Sequence, residues 1–378
     1  MTSPLHVDGA DIKDASGRTV ILRGVNWWRY LYTPDGDWGP ERWAPMLRSE
    51  WNPDAVKAQL DELHHLGFNV VRLHTLVDWW KQNPDSRWML WHTVKYPEPY
   101  RAMLKDTIRW AAERDLYVIF DFYGMKTVAG INTGQESLPW PPYNRYPDVV
   151  GSREQFLDLW LSVARELGGL PNVLFEFFNE PHGDAKAQAE WLDFSQQAIT
   201  ALRAETSNPI IVQWDYCSWV FLNAGPRRLK GSTLAWIDHH PMQGANIIYG
   251  THLYRHTGGP PQSPGMVNRF DSGMIRLWDR PDVDRALELI GFEHVLLDLH
   301  HPILVTEIGA SVDEKPPEEE EHELAWYRNT LAALNDLHVG YVGWAWSSTH
   351  GLIHRMLKDG TPNRAGQEFL DAVHQKSP

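Results

Sequence analysis

The sequence predicts an α/β fold, a (β/α)8 barrel formed as a single domain over residues 1–378 with a β-hairpin at its N-terminus. Three observations lead there. Eight short apolar runs alternate with amphipathic stripes along the chain. Several of those runs are apolar almost throughout, as parallel strands buried on both faces must be. Neither a GxGxxG turn after the first strand nor a Walker A motif is present, which weighs against a doubly wound nucleotide-binding sheet.

The hairpin is read over about residues 5–20, where Asp8-Gly9 and Ser16-Gly17 punctuate short alternating runs. The strands follow as VILRGVN (20–26), FNVVRLH (68–74), LYVIFDFY (116–123) and NVLFEFFN (172–179). PIIVQW (209–214), NIIYGTHLY (246–254), PILVTEIG (302–309) and VGYVGWAW (339–346) complete the set. Between them, Val56, Leu60 and Leu63 keep helical spacing, as do Phe156, Trp160, Val163 and Leu167, and later Leu324, Tyr327, Leu331 and Leu334. The unit after the fifth strand is the weakest, since residues 223–245 show no clear helix. Residues 124–150 and 255–281 read as long loops rich in Gly, Pro and aromatics, of the kind that carries function. The acidic run Glu318–Glu321 after Pro316-Pro317 reads as a solvated first helical turn favoured by the helix dipole. No linker or appended binding module is visible.

Composition excludes several classes. A net charge of −14 weighs against a nucleic-acid partner, because phosphate binding rests on Lys and Arg. No apolar stretch reaches the length needed to span a membrane. Cys217 is the single cysteine, so the chain forms no internal disulfide and no Cys-rich zinc site. The pairs His64-His65, His239-His240 and His300-His301 are not HExxH, and adjacent side chains point apart, so no metal or other cofactor is expected. Tryptophan is abundant, with 20 residues. An indole needs a partner for its N–H when buried, so the excess points to a binding surface built from flat, rigid faces.

In a barrel of this kind the chemistry sits at the C-terminal ends of the strands. Glu180 ends the fourth run and Glu307 the seventh. One such glutamate is ordinarily a solvated loop residue. Two, facing each other across a barrel mouth, meet the requirement for cleaving a glycosidic bond: one protonated carboxyl for the leaving oxygen, one carboxylate to attack or to activate water.

The ordered motifs HVDGADIKDASGRTVILRGVN, GFNVVRLH, FEFFNEP, THLY, VTEIG and VGWAWSS resemble glycoside hydrolase family 5, the cellulase-like (β/α)8 retaining glycosidases, over essentially the whole chain. The resemblance implies Glu180 as general acid/base and Glu307 as nucleophile. It implies that Arg72 and Tyr254 hold Glu307, that Asn179 meets the sugar 2-hydroxyl, and that His252 orients the network. Trp346 would lie under the sugar at the point of cleavage. Arg72 has a plainer reading as the counter-ion of Glu176, which is placed on the same inward face as Phe178 and Glu180; His252 and Tyr254 have one as ordinary packing residues. The third strand departs from the family's DxH pattern, because Tyr123 stands where the histidine is expected. His74, two residues beyond Arg72, or Tyr123 itself is expected to replace it. Trp27, Trp28 and Trp140 are the further candidates for sugar platforms, ahead of Trp79, Trp80, Trp214 and Trp219; Trp110 and Trp160 sit in helical stripes and read as core.

The reading is a retaining hydrolase of a β-linked polysaccharide or oligosaccharide, foremost an endo-β-1,4-glucanase, acting as a monomer. The competing readings are an endo-β-mannanase, an exo-acting β-glucosidase or β-mannosidase, transglycosylation with the same residues, and a non-catalytic carbohydrate-binding barrel, which would not need both glutamates. The opening MTSPLHVDGADIKD lacks a basic n-region and an apolar h-region. A polymer substrate sets the expectation of a secreted protein whose leader is absent from this chain, with a cytoplasmic location as the alternative.

Overall fold

The computed structural model describes residues 2–27, 53–83, 99–128, 131–132, 136–216, 241–255, 279–312, 316–347, 354–358 and 360–375. The chain opens with the predicted hairpin, β1 (His6–Asp8) and β2 (Asp11–Lys13), paired antiparallel. The Asp14 side chain closes the turn after it by accepting from the backbone N–H of Ser16 and of Arg18. The barrel strands are β3 (Arg23–Asn26), β4 (Val70–Leu76) and β5 (Tyr117–Gly124), with a small hairpin of β6 (Thr127–Val128) and β7 (Ile131–Asn132) beyond the third. They continue as β8 (Val173–Glu176), β9 (Ile210–Tyr216), β10 (Ile247–Tyr254), β11 (Ile303–Gly309) and β12 (Gly340–Gly343). Each pairs in parallel with the next, and β12 closes on β3, giving a barrel of eight strands.

The predicted stripes form the outer layer. Leu60 and Leu63 are buried on α1 (Pro53–His65). After α2 (Val77–Gln82) and α3 (Tyr100–Ala112), Phe156, Trp160, Val163 and Leu167 are buried on α4 (Arg153–Leu167). After α5 (Ala185–Leu202) and α6 (Arg280–Ile290), Leu324, Tyr327, Leu331 and Leu334 are buried on α7 (Pro317–Asp336); α8 (Arg364–His374) ends the described chain. Side-chain oxygens of Ser152, Asp184 and Asn363 accept from the third residue beyond each, supplying partners for orphan N–H groups at the starts of α4, α5 and α8. Glu318, Glu319 and Glu320 occupy the first turn of α7, and Glu320 and Glu321 pair with Arg364.

Inside the barrel the two-residue period of a strand stacks side chains in layers. Leu22, Val70, Ile119, Leu174, Ile211, Ile248, Leu304 and Val342 form an apolar floor, which Leu5 and Ile12 of the N-terminal segment close from below. Two positions further along four of these strands come Arg72, Asp121, Glu176 and Gln213, all buried. Gly250 stands at this level because there is no room for more: a Cβ there would lie 2.7 Å from Ile211 and 3.7 Å from the Glu176 carboxylate. The next level is the mouth.

Three strands are shorter than the sequence suggests, the first being β3, which begins at Arg23 rather than at Val20. β8 stops at Glu176, so inward alternation does not reach Phe178, whose ring meets Phe156 on α4. β12 stops at Gly343 rather than running to Trp346. The loop predicted over 124–150 contains the β6–β7 hairpin and turns around Trp140–Tyr143. The weak fifth unit lies mostly outside the described residues, and 241–245 form no helix. Most of the predicted loop 255–281 is outside them too. No helix among the described residues is long and apolar enough to cross a membrane.

Candidate active site

Arg72 is the centre of the buried polar level. It is fully buried on β4. Its Nε donates to Glu176 at 2.6 Å and its Nη1 to Glu307 at 2.6 Å. Nη2 donates to Asn179 Oδ1 at 2.9 Å and lies 3.1 Å from Asp121. The two readings of Arg72 therefore both hold: it neutralises the interior Glu176 and also grips Glu307. A buried guanidinium is strongly disfavoured unless it is paired, and this one is paired three times.

Glu307 accepts a second hydrogen bond, 2.6 Å, from the Tyr254 hydroxyl. It reaches the mouth because the pairing of β11 with β12 shifts between Val305 and Ile308, and neighbouring Thr306 and Glu307 both contact site residues. Burial pushes the Glu307 carboxyl up to about 7, against the pull of Arg72 and the Tyr254 donor. Asp121 is likewise pushed up to about 7 by burial, with Arg72 opposing. Its Oδ1 has no hydrogen-bond partner among the described residues.

Glu180 lies beyond the end of β8 with φ of 53°, in the left-handed region that a side chain rarely occupies. Its Oε1 is 2.8 Å from His252 Nδ1, which is also 3.4 Å from Glu307. Burial, and then the Arg72 charge, hold His252 well below the usual histidine range, so its ring is neutral. Glu180, His252 and Glu307 bring potential ligand atoms within 4.8 Å of one another. That spacing could suit an ion, but here it is used for hydrogen bonding. Asn179 has its Oδ1 occupied by Arg72, while its Nδ2 has no partner among the described residues and is left as a donor.

His74 is buried, with Nδ1 3.2 Å from Asp121, and burial followed by the Arg72 charge lowers its pKa well below the ordinary value. Its ring meets Tyr123 edge-on at 4.5 Å and Trp344 at 5.5 Å. Tyr123 in turn stacks on Trp344 at 5.9 Å and 12°. The structure thus brings Arg72, His74, Tyr123, Asn179, Glu180, His252, Tyr254 and Glu307 together.

The tryptophans are another matter. Trp346 does not face the mouth. It packs edge-on against Phe68 at 5.5 Å with its ring in the helix-side core, because the strand has already ended at Gly343. Trp344 is the indole beside His74 and Tyr123. Trp27 is 1% exposed and donates Nε1–H to Gln59 on α1; Trp140 is 2% exposed among Phe156, Trp191 and Phe194. Neither offers a free face to a sugar. Trp28 lies outside the described residues, as does Trp219. Trp79, Trp80 and Trp160 are core. Asp121, Gln213, Thr306 and Trp344 were not singled out from the sequence. Inward parity with Arg72 and Glu176 was the signal that could have found the first two.

The model of the cellulase family, glycosyl hydrolase family 5, matches residues 14–350. An endoglucanase of Paenibacillus polymyxa is 24% identical over 97% of this chain and 86% of its own length. A mannan endo-1,4-beta-mannosidase of Cellvibrio japonicus is 23% identical over 66% of this chain and 45% of its own length. Among solved structures, a beta-glucanase of Saccharophagus degradans in complex with cellotetraose superposes with a TM-score of 0.64 at 19% identity, over 99% of this chain and 93% of its own.

Proposed function

The chain belongs to the cellulase family, glycosyl hydrolase family 5, and is a glycoside hydrolase; on that premise we propose that it cleaves β-1,4-glucan internally, with retention of the anomeric configuration. The observation that carries the reading is the pair Glu180 and Glu307, with carboxylate oxygens within 4.8 Å of each other and unlike surroundings. Retaining glycosidases hold their two carboxyls roughly 5–5.5 Å apart, inverting ones roughly 6.5–9.5 Å.

Glu307, gripped by Arg72 and Tyr254, is the nucleophile. Its carboxylate attacks the anomeric carbon while the bond to the leaving oxygen breaks. The electron pair goes to that oxygen, which takes the Glu180 proton. Glu180, now a carboxylate, then takes a proton from the water that attacks the same carbon and frees Glu307. Asn179 Nδ2 donates to the sugar 2-hydroxyl, a contact that strengthens as charge develops on the ring. The stacked pair Tyr123 and Trp344 gives the sugar its aromatic wall, with His74 behind it. The oligosaccharide in the Saccharophagus enzyme and the name of the Paenibacillus relative support β-glucan as the substrate. The Cellvibrio relative supports mannan as the second candidate.

The test is reducing-sugar release from soluble cellulose, mixed-linkage β-glucan, mannan, xylan and β-1,3-glucan, with Glu307→Ala alongside. Release from the β-1,4-glucans, abolished in the variant, is the expected result. Release from mannan alone would replace glucan by mannan, and intact binding with no release from any polymer would overturn the endo-acting reading.

A further inference from the structure

Gln213, on β9 and 2% exposed, donates from its amide nitrogen to Glu176 Oε1 at 2.6 Å and faces His252 Nε2 at 2.8 Å. Which way this amide points is decided by Glu176. That carboxylate accepts from Arg72 Nε at 2.6 Å and from the Thr306 hydroxyl at 2.8 Å, so it is an acceptor on both oxygens. Turning the amide would set its oxygen 2.6 Å from a carboxylate oxygen, a repulsive contact. The nitrogen is therefore held where it is, and Gln213 Oε1 is left without a partner among the described residues. An NH2 group has two hydrogens. One goes to Glu176; the other goes to His252 Nε2 at 2.8 Å rather than to the more distant Thr306 Oγ1 at 3.3 Å, so Nε2 accepts. The proton of the neutral imidazole is left on Nδ1, facing Glu180 Oε1 at 2.8 Å.

We infer that Gln213 is a positioning residue that sets the His252 tautomer and thereby places the acid proton of Glu180 on Oε2, the oxygen not bonded to His252. The inference rests on Glu180 being the general acid/base. With Nδ1–H donating to Oε1, a protonated Glu180 carries its proton on the other oxygen. With a bare Nδ1, the carboxyl would donate to the histidine instead and its proton would point away from the glycosidic oxygen. The alternative tautomer has a ready partner, since Nε2 also lies 3.1 Å from Thr306 Oγ1; the Gln213 N–H stands against it, and so does the Glu307 carboxylate 3.4 Å from Nδ1.

Nitrogen-15 NMR of the wild-type enzyme labelled at histidine reads the tautomer directly. His252 protonated on Nδ1 is expected; a proton on Nε2 with a bare Nδ1 would overturn the inference with no variant needed. Gln213→Met then removes the donor at similar volume. The proton is expected to move to Nε2, and hydrolysis of oligosaccharides to fall at least about tenfold, part of the roughly 10²–10⁴-fold that a positioned general acid supplies. Aryl glycosides with acidic phenols need no proton on departure, so their cleavage is expected to change far less. An equal loss on both substrate types, in a variant that melts like wild type, would refute the positioning role. Azide rescue of Glu180→Ala on an aryl glycoside tests the premise separately: no rescue sinks the acid/base reading of Glu180, whatever the NMR shows for Gln213.

Discussion

Replacing Tyr254 by Phe removes one hydroxyl and little else. In the wild type that hydroxyl donates to Glu307 at 2.6 Å, and the ring stacks on His354 at 4.6 Å, a contact that Phe keeps. A hydrogen bond to a charged group contributes roughly 1.5–3 kcal/mol. It favours the ionised carboxyl, and one pKa unit corresponds to about 1.4 kcal/mol, so losing it raises the Glu307 pKa by about 1–2 units. Burial has already pushed that carboxyl up to about 7. A nucleophile must be ionised to attack, so activity is lost as pH falls through this pKa, and raising the pKa moves the loss to higher pH. The acidic limb of kcat/KM against pH, measured on a soluble β-glucan, is therefore expected to shift upward by about 1–2 units in Tyr254→Phe. If the limb stays in place while kcat falls equally at every pH, Tyr254 does not act through the charge of Glu307, and the account of the nucleophile is wrong.

Glu307→Gln is expected to stabilise the fold at and above neutral pH. The folded protein holds the Glu307 proton up to about 7, whereas an ordinary glutamate releases it near 4.5, so wild-type stability is lost as pH rises between these values. Melting curves across that range should slope less steeply for Glu307→Gln and end at a higher Tm; identical slopes would remove Glu307 from the linkage. Trp344→Ala is expected to raise KM as well as to lower Tm, since the ring is buried against His74 and Tyr123, whereas Trp140→Ala should cost about 3–5 kcal/mol of stability and leave KM near wild type. The reverse pattern in kinetics and denaturant melts would reinstate Trp140 as a sugar platform. His74→Ala should weaken oligosaccharide binding and turnover, because His74 backs the Tyr123–Trp344 wall; unchanged KM and kcat would exclude it from the site.

Much of this was legible in the sequence for physical reasons. Parallel strands must be apolar on both faces, so runs such as VVRLHTL and ILVTEIG mark the barrel, and the polar residues interrupting them mark the site. Arg72 and Glu307 stand out because an unpaired charge in an apolar run would be prohibitive. The failures have physical causes too. Alternation predicts direction only while a strand lasts. β12 ends at Gly343, so the residue facing the mouth is Trp344 and not Trp346. Phe178 was misplaced in the same way by the early end of β8. Trp27 and Trp140 misled because an indole at a strand end can as well be buried, provided its N–H finds a partner, and Gln59 and Glu190 supply those partners. Gln213 escaped notice because a neutral amide inside a strand carries no charge to flag it. Its importance appears only when Glu176 and His252 are seen on either side.

Cleavage of a β-1,4-glucan through a covalent intermediate on Glu307 inverts the anomeric carbon twice and so retains its configuration. Proton NMR of the first product released from a β-1,4-gluco-oligosaccharide, recorded before mutarotation, tests it most directly. The new reducing end is expected to appear as the β-anomer, and Glu307→Ala to release none. Initial appearance of the α-anomer would contradict it, because the two carboxyls would then be activating water for a single displacement.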